Sequence, residues 1–236
     1  MLNLPEIDII LGNMVVPVES LKTITYFSEL SLTELNSVQK FVFEKAVAED
    51  EIIQFEGEPA KAVYFIVSGL VKVFKTSAEG KEQVLYFVRP DDSFNDVSAF
   101  DGSPSLASVE AMMPVVLYGI RKDDLETVLR EYPQVTLNML GVLSKRVKHL
   151  VSLVEDLSFR NVTNRVAKVL LEYASDGTSQ KPRLTQQEMA AIAGTAREMV
   201  GRSLKTLEDE GSIRLNRNRI IITDKEALRE MAGIVT

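Results

Sequence analysis

Residues 184–207 read LTQQEMAAIAGTAREMVGRSLKTL, and this stretch decides how the rest of the chain is read. Thr185 followed three positions later by Glu188 is a capping box, so a helix starts there, with Met189 and Ile192 as its inward face. Gly194 stands where a tight turn between two helices needs a residue that tolerates positive φ. A second helix over about 196–208 buries Val200, Leu204 and Leu207 and leaves Arg197, Glu198 and Arg202 outward near its N-terminal half. Two short helices around a glycine turn, with arginines at the start of the second, have the form of a DNA-reading helix-turn-helix. Arg donates two hydrogen bonds to guanine, and Glu accepts from cytosine in the major groove.

The competing reading of those three charges is a solvated helix face with local ion pairs. The next residues shift the balance. GSIRLNRNRIIITD (211–224) reads as strand, turn at Asn216-Arg217-Asn218 and strand, so the helix pair carries a β-hairpin wing. Arg214, Arg217 and Arg219 then point basic groups toward phosphates. Thr185, Gln187, Thr195, Lys205, Arg217 and Arg219 are the residues expected to contact or position the phosphate backbone.

Upstream, RVAKVLLEYA (165–174) turns Val166, Val169, Leu170 and Tyr173 to one side, and SFRNVT (158–163) marks a hinge before it. Before the hinge, Leu140, Leu143, Val147, Leu150, Val154 and Leu157 recur at alternating gaps of three and four, the a/d seam of a coiled coil. Such a seam asks for a partner helix, and a second copy of the chain is the expected one. Met139, Val142 and Val151 lie beside it and are expected to cover the chain's own core; the alternative is that the whole stripe packs there.

From about 48 to 120 the pattern changes to short strands cut by turns. Val63, Phe65 and Val67 alternate with Tyr64 and Ile66, Gly69 interrupts, Val71 and Val73 resume, Glu79-Gly80 supplies a hairpin turn, and a last strand runs over 115–120. Strands at this spacing suggest a barrel or sandwich. Residues 19–45 read as helical, with Ser31 as cap and Glu34 three residues on.

Composition bounds the chemistry. The 236 residues contain no cysteine and one histidine, His149, which excludes disulfides, thiolate zinc, cysteine-ligated iron–sulfur clusters and a multi-histidine metal site. No metal or cofactor is expected, haem included. Nor is there a nucleophile–base constellation or a phosphate-binding glycine loop, and Asp91-Asp92 after Pro90 reads as a solvated turn, so an enzyme is not expected. A ligand-binding module alone would leave the winged helix unexplained. The net charge of −7 conceals a division: residues 1–162 carry 15 Lys+Arg against 24 Asp+Glu, and 163–236 carry 12 against 10. A counter-charge for phosphates need only be local. With no apolar run near the ~18 residues that span a bilayer and no signal-peptide pattern, a cytoplasmic protein without membrane contact is expected.

The chain resembles the cyclic-AMP receptor (Crp/Fnr) family of bacterial regulators from about residue 20 to 225. The carriers are GEPAKAVYFIVSGLVKV (57–73), NRVAKVLLEYA (164–174) and LTQQEMAAIAGTAREMVGRSLKTLEDEGSI (184–213). The resemblance implies an α+β chain with three parts: a double-stranded β-barrel sensor (1–122), dimerisation helices (123–160) and a winged helix-turn-helix (161–236). It implies a homodimer on double-stranded DNA, with RNA polymerase as a further partner and a small-molecule effector. It places Arg197, Glu198 and Arg202 where the founding member reads a TGTGA half-site; Gln186 and Ala196 replace its phosphate-contacting Arg and Ser.

The resemblance breaks at the ligand. Members that bind cyclic nucleotides carry Gly-Glu-Leu and, further on, an Arg for the phosphate. Here Asn95-Asp96-Val97 replaces the tripeptide, and Ser105, Leu106, Ala107 and Ser108 stand around the Arg position. No cation is expected to remain there, and an uncompensated phosphate would cost several kcal/mol. Leu150 and Val151 take the places of the two hydroxyl residues that hold adenine. The expected effector site is formed by Phe94, Asn95, Asp96, Val97, Ser98, Ser105, Leu106, Ala107, Ser108, Leu150 and Val151, and its expected ligand is largely apolar or aromatic. A cyclic-nucleotide-responsive regulator and a constitutive one with an unliganded barrel are the alternatives.

Overall fold

The structure, a computed structural model, describes residues 16–173, 184–216 and 219–234. Two short helices open it, α1 (Val18–Thr23) and α2 (Leu32–Val38). The Ser31–Glu34 capping box forms at the start of α2, with both reciprocal hydrogen bonds present. A β-rich region follows: β1 (Val42–Val47), β2 (Ile52–Gln54), β3 (Ala62–Ser68), β4 (Val71–Thr76), β5 (Glu82–Val88), β6 (Ser93–Phe94), α3 (Asp96–Asp101), β7 (Ser108–Ala111) and β8 (Val115–Arg121). Then come α4 (Lys122–Glu131), the 27-residue α5 (Pro133–Phe159), α6 (Val162–Tyr173), α7 (Gln186–Ala193), α8 (Arg197–Asp209), β9 (Ile213–Asn216), β10 (Arg219–Ile222) and α9 (Lys225–Met231).

Strands β1 to β8 form two four-stranded sheets, ordered β1-β8-β3-β6 and β2-β7-β4-β5, β9 and β10 pair as a two-stranded sheet, and the fold is α+β with an N-terminal barrel and a C-terminal winged helix pair. β8 is the spine of the first sheet, pairing antiparallel with β1 (Val42↔Ile120 through Val47↔Val115) and with β3 (Val63↔Ile120, Phe65↔Tyr118). The helical reading of 19–45 therefore ends too late: Val42, Phe43, Glu44 and Lys45 join a strand because their partners in β8 satisfy the backbone. Gly69 ends β3 at φ +98°, and a Cβ there would stand 2.6 Å from the Pro114 carbonyl, so the close approach requires glycine.

β3 departs from simple alternation. Every residue from Ala62 to Ile66 is buried, because both faces of the strand are covered. Val63 and Phe65 join a core with Leu21, Tyr26, Phe27, Leu125, Val128, Met139 and Val142, while Tyr64 stacks on Phe94 with ring centroids 5.1 Å apart. Tyr26, Phe27 and Phe65 meet edge to face within that core.

The chain forms two compact units. One comprises the residues up to Val73 together with Tyr86–Arg146; the other comprises Phe74–Leu85 together with the residues from Val147 onward. In the second unit, Val166, Val169, Leu170, Met189, Val200, Leu204, Leu207 and Leu228 form a core of their own. Among the described residues, no helix is long and apolar enough to cross a membrane.

Candidate nucleic-acid interface and effector region

The helix pair is built by local chemistry. Thr185 Oγ1 accepts from the Glu188 amide at 3.1 Å, and the Glu188 carboxylate accepts from the Thr185 amide at 2.5 Å. Gly194, at φ +63°, closes α7 in the left-handed conformation; its amide and that of Thr195 both donate to the Ala190 carbonyl. Thr185→Ala is expected to cost about 1 kcal/mol and to lower the unfolding midpoint measured by circular dichroism. An unchanged midpoint would show that the cap contributes nothing.

α8 buries Val200, Ser203, Leu204 and Leu207 and exposes Arg197, Glu198, Arg202 and Lys205. Among the described residues, Arg197, Glu198 and Arg202 enter no ion pair, so the picture of a face saturated by local salt bridges does not hold for them. Thr185, Gln187 and Arg219 are also exposed, whereas Thr195 is buried at the turn and positions backbone rather than offering a free side chain. Arg217 lies outside the described residues. The wing strands pair antiparallel (Arg214↔Ile221, Asn216↔Arg219), and the Glu208 carboxylate in α8 accepts from the Leu215 amide at 2.7 Å, tying the wing to the helix.

Arg165 is a positioning residue that the sequence pattern does not single out. From α6 its guanidinium donates to the Ala193 carbonyl at the end of α7 and to the Arg160 carbonyl between α5 and α6, both at 2.6 Å. At the same junction between α5 and α6, the largely buried carboxylate of Asp156 pairs with Arg160 at 2.7 Å and with Lys168 of α6. His149 is exposed, with Nε2 2.9 Å from the Leu85 carbonyl oxygen.

Along α5 the seam is largely bare: Leu140 is 55% exposed, Val147 60%, Val154 62% and Leu157 40%. Leu143 and Leu150 are half-buried, and Leu143 packs against the first unit's core beside the buried Met139 and Val142. Val151, expected to cover that core, is instead more than half exposed and extends the bare stripe.

In the barrel, the segment expected to form the effector site carries one large surprise. Asn95 adopts the left-handed conformation (φ 68°) at the start of α3 and delivers Asp96 into the interior with its side chain fully buried. Three donors hold that carboxylate: the Tyr26 hydroxyl, the Ser93 hydroxyl at 2.6 Å, and the guanidinium of Arg146 from α5. Arg146 also donates to the Ser93 carbonyl at 2.7 Å, reaches Asp92 at 3.3 Å, and lies 4.7 Å above the Tyr86 ring. Arg146 thus brings a cation to Asp96 from 50 residues away in sequence, and that cation is already engaged by carboxylates. Burial pushes the Tyr26 and Tyr86 hydroxyls above the ordinary tyrosine range and raises Asp92. Burial also pulls on Arg146, but Asp96, Tyr86 and Asp92 outweigh it and hold its pKa above the usual value.

The hydroxyls of this segment are likewise committed. Ser105 donates to Asn95 Oδ1 and to the Ala107 carbonyl, Ser98 to the Pro104 carbonyl, and Ser108 Oγ accepts from the Glu56 amide. Phe94 and Ala107 are buried, Val97 and Leu106 exposed.

Comparison with known proteins agrees with this architecture. Residues 44–132 match the cyclic nucleotide-binding domain family and residues 164–231 the Crp-like helix-turn-helix domain family. The chain is 33% identical over 184 residues to a CRP-like cAMP-activated global transcriptional regulator of Mycobacterium tuberculosis, covering 75% of this chain and 82% of that protein. It is 29% identical to the cyclic AMP receptor protein of Thermus thermophilus, over 87% of this chain and 95% of that one. A Crp/Fnr-family transcriptional regulator from Eubacterium rectale shares the fold, with a TM-score of 0.77 at 20% identity over 90% of this chain and 99% of that one. With a barrel, a long helix and a winged helix pair in this order and a relative at this identity, the chain belongs to the Crp/Fnr family of DNA-binding transcription regulators and not to an enzyme family.

Proposed function

We propose that the protein acts in the cytoplasm as a homodimer that binds a TGTGA-like pseudo-palindrome, under control of a small-molecule effector other than cyclic AMP and with RNA polymerase as a further partner. The observation that carries the DNA reading is the exposed, unpaired trio Arg197, Glu198 and Arg202 on the first turns of α8. In a dimer, one recognition helix serves each half-site, with half-site centres about one helical turn apart. Arg197→Ala and Arg202→Ala are each expected to cost about 1–3 kcal/mol of specific affinity and to relax one base position. Fluorescence anisotropy against single-base variants of the palindrome measures both. Equal weakening on every duplex would instead make these residues phosphate contacts.

The effector reading rests on charge. Two relatives are named for cyclic AMP, but this chain has no cation among Ser105, Leu106, Ala107 and Ser108, and Arg146 is already matched by Asp96 and Asp92. A cyclic phosphate entering there would meet two carboxylates for one guanidinium. A constitutive regulator is the second reading, favoured by the way Tyr26, Ser93 and Arg146 satisfy the Asp96 carboxylate from within the chain. An effector acts only through its difference in affinity for two settings of the hinge at 158–163. Calorimetric titration with cyclic AMP, cyclic GMP and a panel of aromatic acids and phenols, with DNA binding followed in parallel, separates these readings. Tight cyclic-AMP binding that raises DNA affinity would overturn the effector proposal.

A further inference from the structure

We infer that Met199 is a fourth base-reading residue, which recognises the 5-methyl group of a thymine adjacent to the guanine held by Arg202. This inference rests on the DNA reading proposed above and extends it to a base that the three charged residues leave unread.

Every other exposed side chain on α8 is polar: Arg197, Glu198, Arg202, Lys205, Thr206 and Asp209. Met199 is the exception, an apolar side chain 36% exposed on the first turn and absent from the core that Val200, Leu204 and Leu207 build. It stands three positions before Arg202, hence on the same side one turn earlier. Its Sδ lies 4.0 Å from Arg202 Nη1. With Arg202 bidentate on a guanine, a thioether one turn earlier on the same face and in contact with that guanidinium is placed to meet an adjacent base. In TGTGA each guanine has a thymine on its 5′ side. The C5 methyl of thymine is the apolar feature of the major groove, and apolar side chains are what read it. An unbranched, polarisable thioether with three rotatable bonds adapts to such a contact. The bland alternative is that Met199 only supports the rotamer of Arg202.

Deoxyuridine separates the two, because it removes the methyl and leaves pairing intact. Each thymine of the half-site is replaced singly by deoxyuridine, and affinities are measured for the wild type, Met199→Ala and Met199→Leu. The wild type is expected to lose about fourfold at one thymine position per half-site, the worth of burying one methyl-sized group. Met199→Ala should lose a similar factor on the thymine duplex and nothing further on deoxyuridine at that position, while Met199→Leu keeps the discrimination. If Met199→Ala responds to deoxyuridine as the wild type does at every position, or weakens all duplexes alike, the inference is wrong. A wild type that does not prefer the palindrome to a scrambled duplex brings down the proposed function first, and is recognised before any Met199 comparison.

Discussion

Arg146→Met is expected to destabilise the barrel by about 3–5 kcal/mol, and adding Asp96→Asn is expected to restore most of the loss. The side chain of Asp96 is fully buried and that of Arg146 only 12% exposed, so solvent cannot replace the guanidinium when it is removed. The single substitution strands a carboxylate in the interior with only the Tyr26 and Ser93 hydroxyls for company. Asn at 96 accepts from the same hydroxyls without carrying a charge, which is why the pair of changes is milder than the first alone. Asp92 is a lesser partner, since its side chain is 44% exposed and water screens it. Thermal unfolding should show the single variant melting about 10 °C below the wild type and the double variant most of the way back. Equal midpoints for the single and double variants would mean that the Asp96–Arg146 pair is not what makes the loss.

Val147→Glu combined with Val154→Glu is expected to convert a dimer to a monomer. Both side chains are about three-fifths exposed in the isolated chain, so the substitutions leave the protomer's own packing intact. In a symmetric dimer four such side chains leave water at about 1.5 kcal/mol or more each, on the order of 6 kcal/mol together. Four carboxylates brought to one seam add like-charge repulsion. Leu143 is a poorer choice because it also packs on the first unit's core, so its loss would mix dissociation with unfolding. Light scattering at micromolar concentration should give a dimeric mass for the wild type and half that mass for the variant, with unchanged circular dichroism. A wild-type monomer would remove the dimer proposal.

What sequence made legible was whatever its chemistry keeps local. The Thr185–Glu188 and Ser31–Glu34 boxes, the left-handed Gly194 and the buried face of α8 each depend on residues within one or two turns, and each stands as read. Most of what sequence hides has long-range causes. Val42–Val47 pairs with β8, more than 60 residues away in sequence, and nothing local signals it. The short α3 hides in a loop because its start is a left-handed Asn95 rather than a capping side chain. A charge next to a heptad seam is usually solvated, so the pattern does not single out Arg146. Its spacing from Met139 and Val142, seven and four positions back, continued their buried face, and that was the available signal. Its partner Asp96 stands on another element, and only the fold brings them together.

The most direct test is a competition binding experiment with the full chain and a duplex carrying two inverted TGTGA half-sites one helical turn apart, set against a scrambled duplex of the same composition at physiological salt. Two chains per palindrome, with an affinity at least about a thousandfold above the scrambled duplex, is the expected result. Equal affinity for both duplexes, or one chain per palindrome, would contradict a dimeric regulator that reads sequence through Arg197, Glu198 and Arg202.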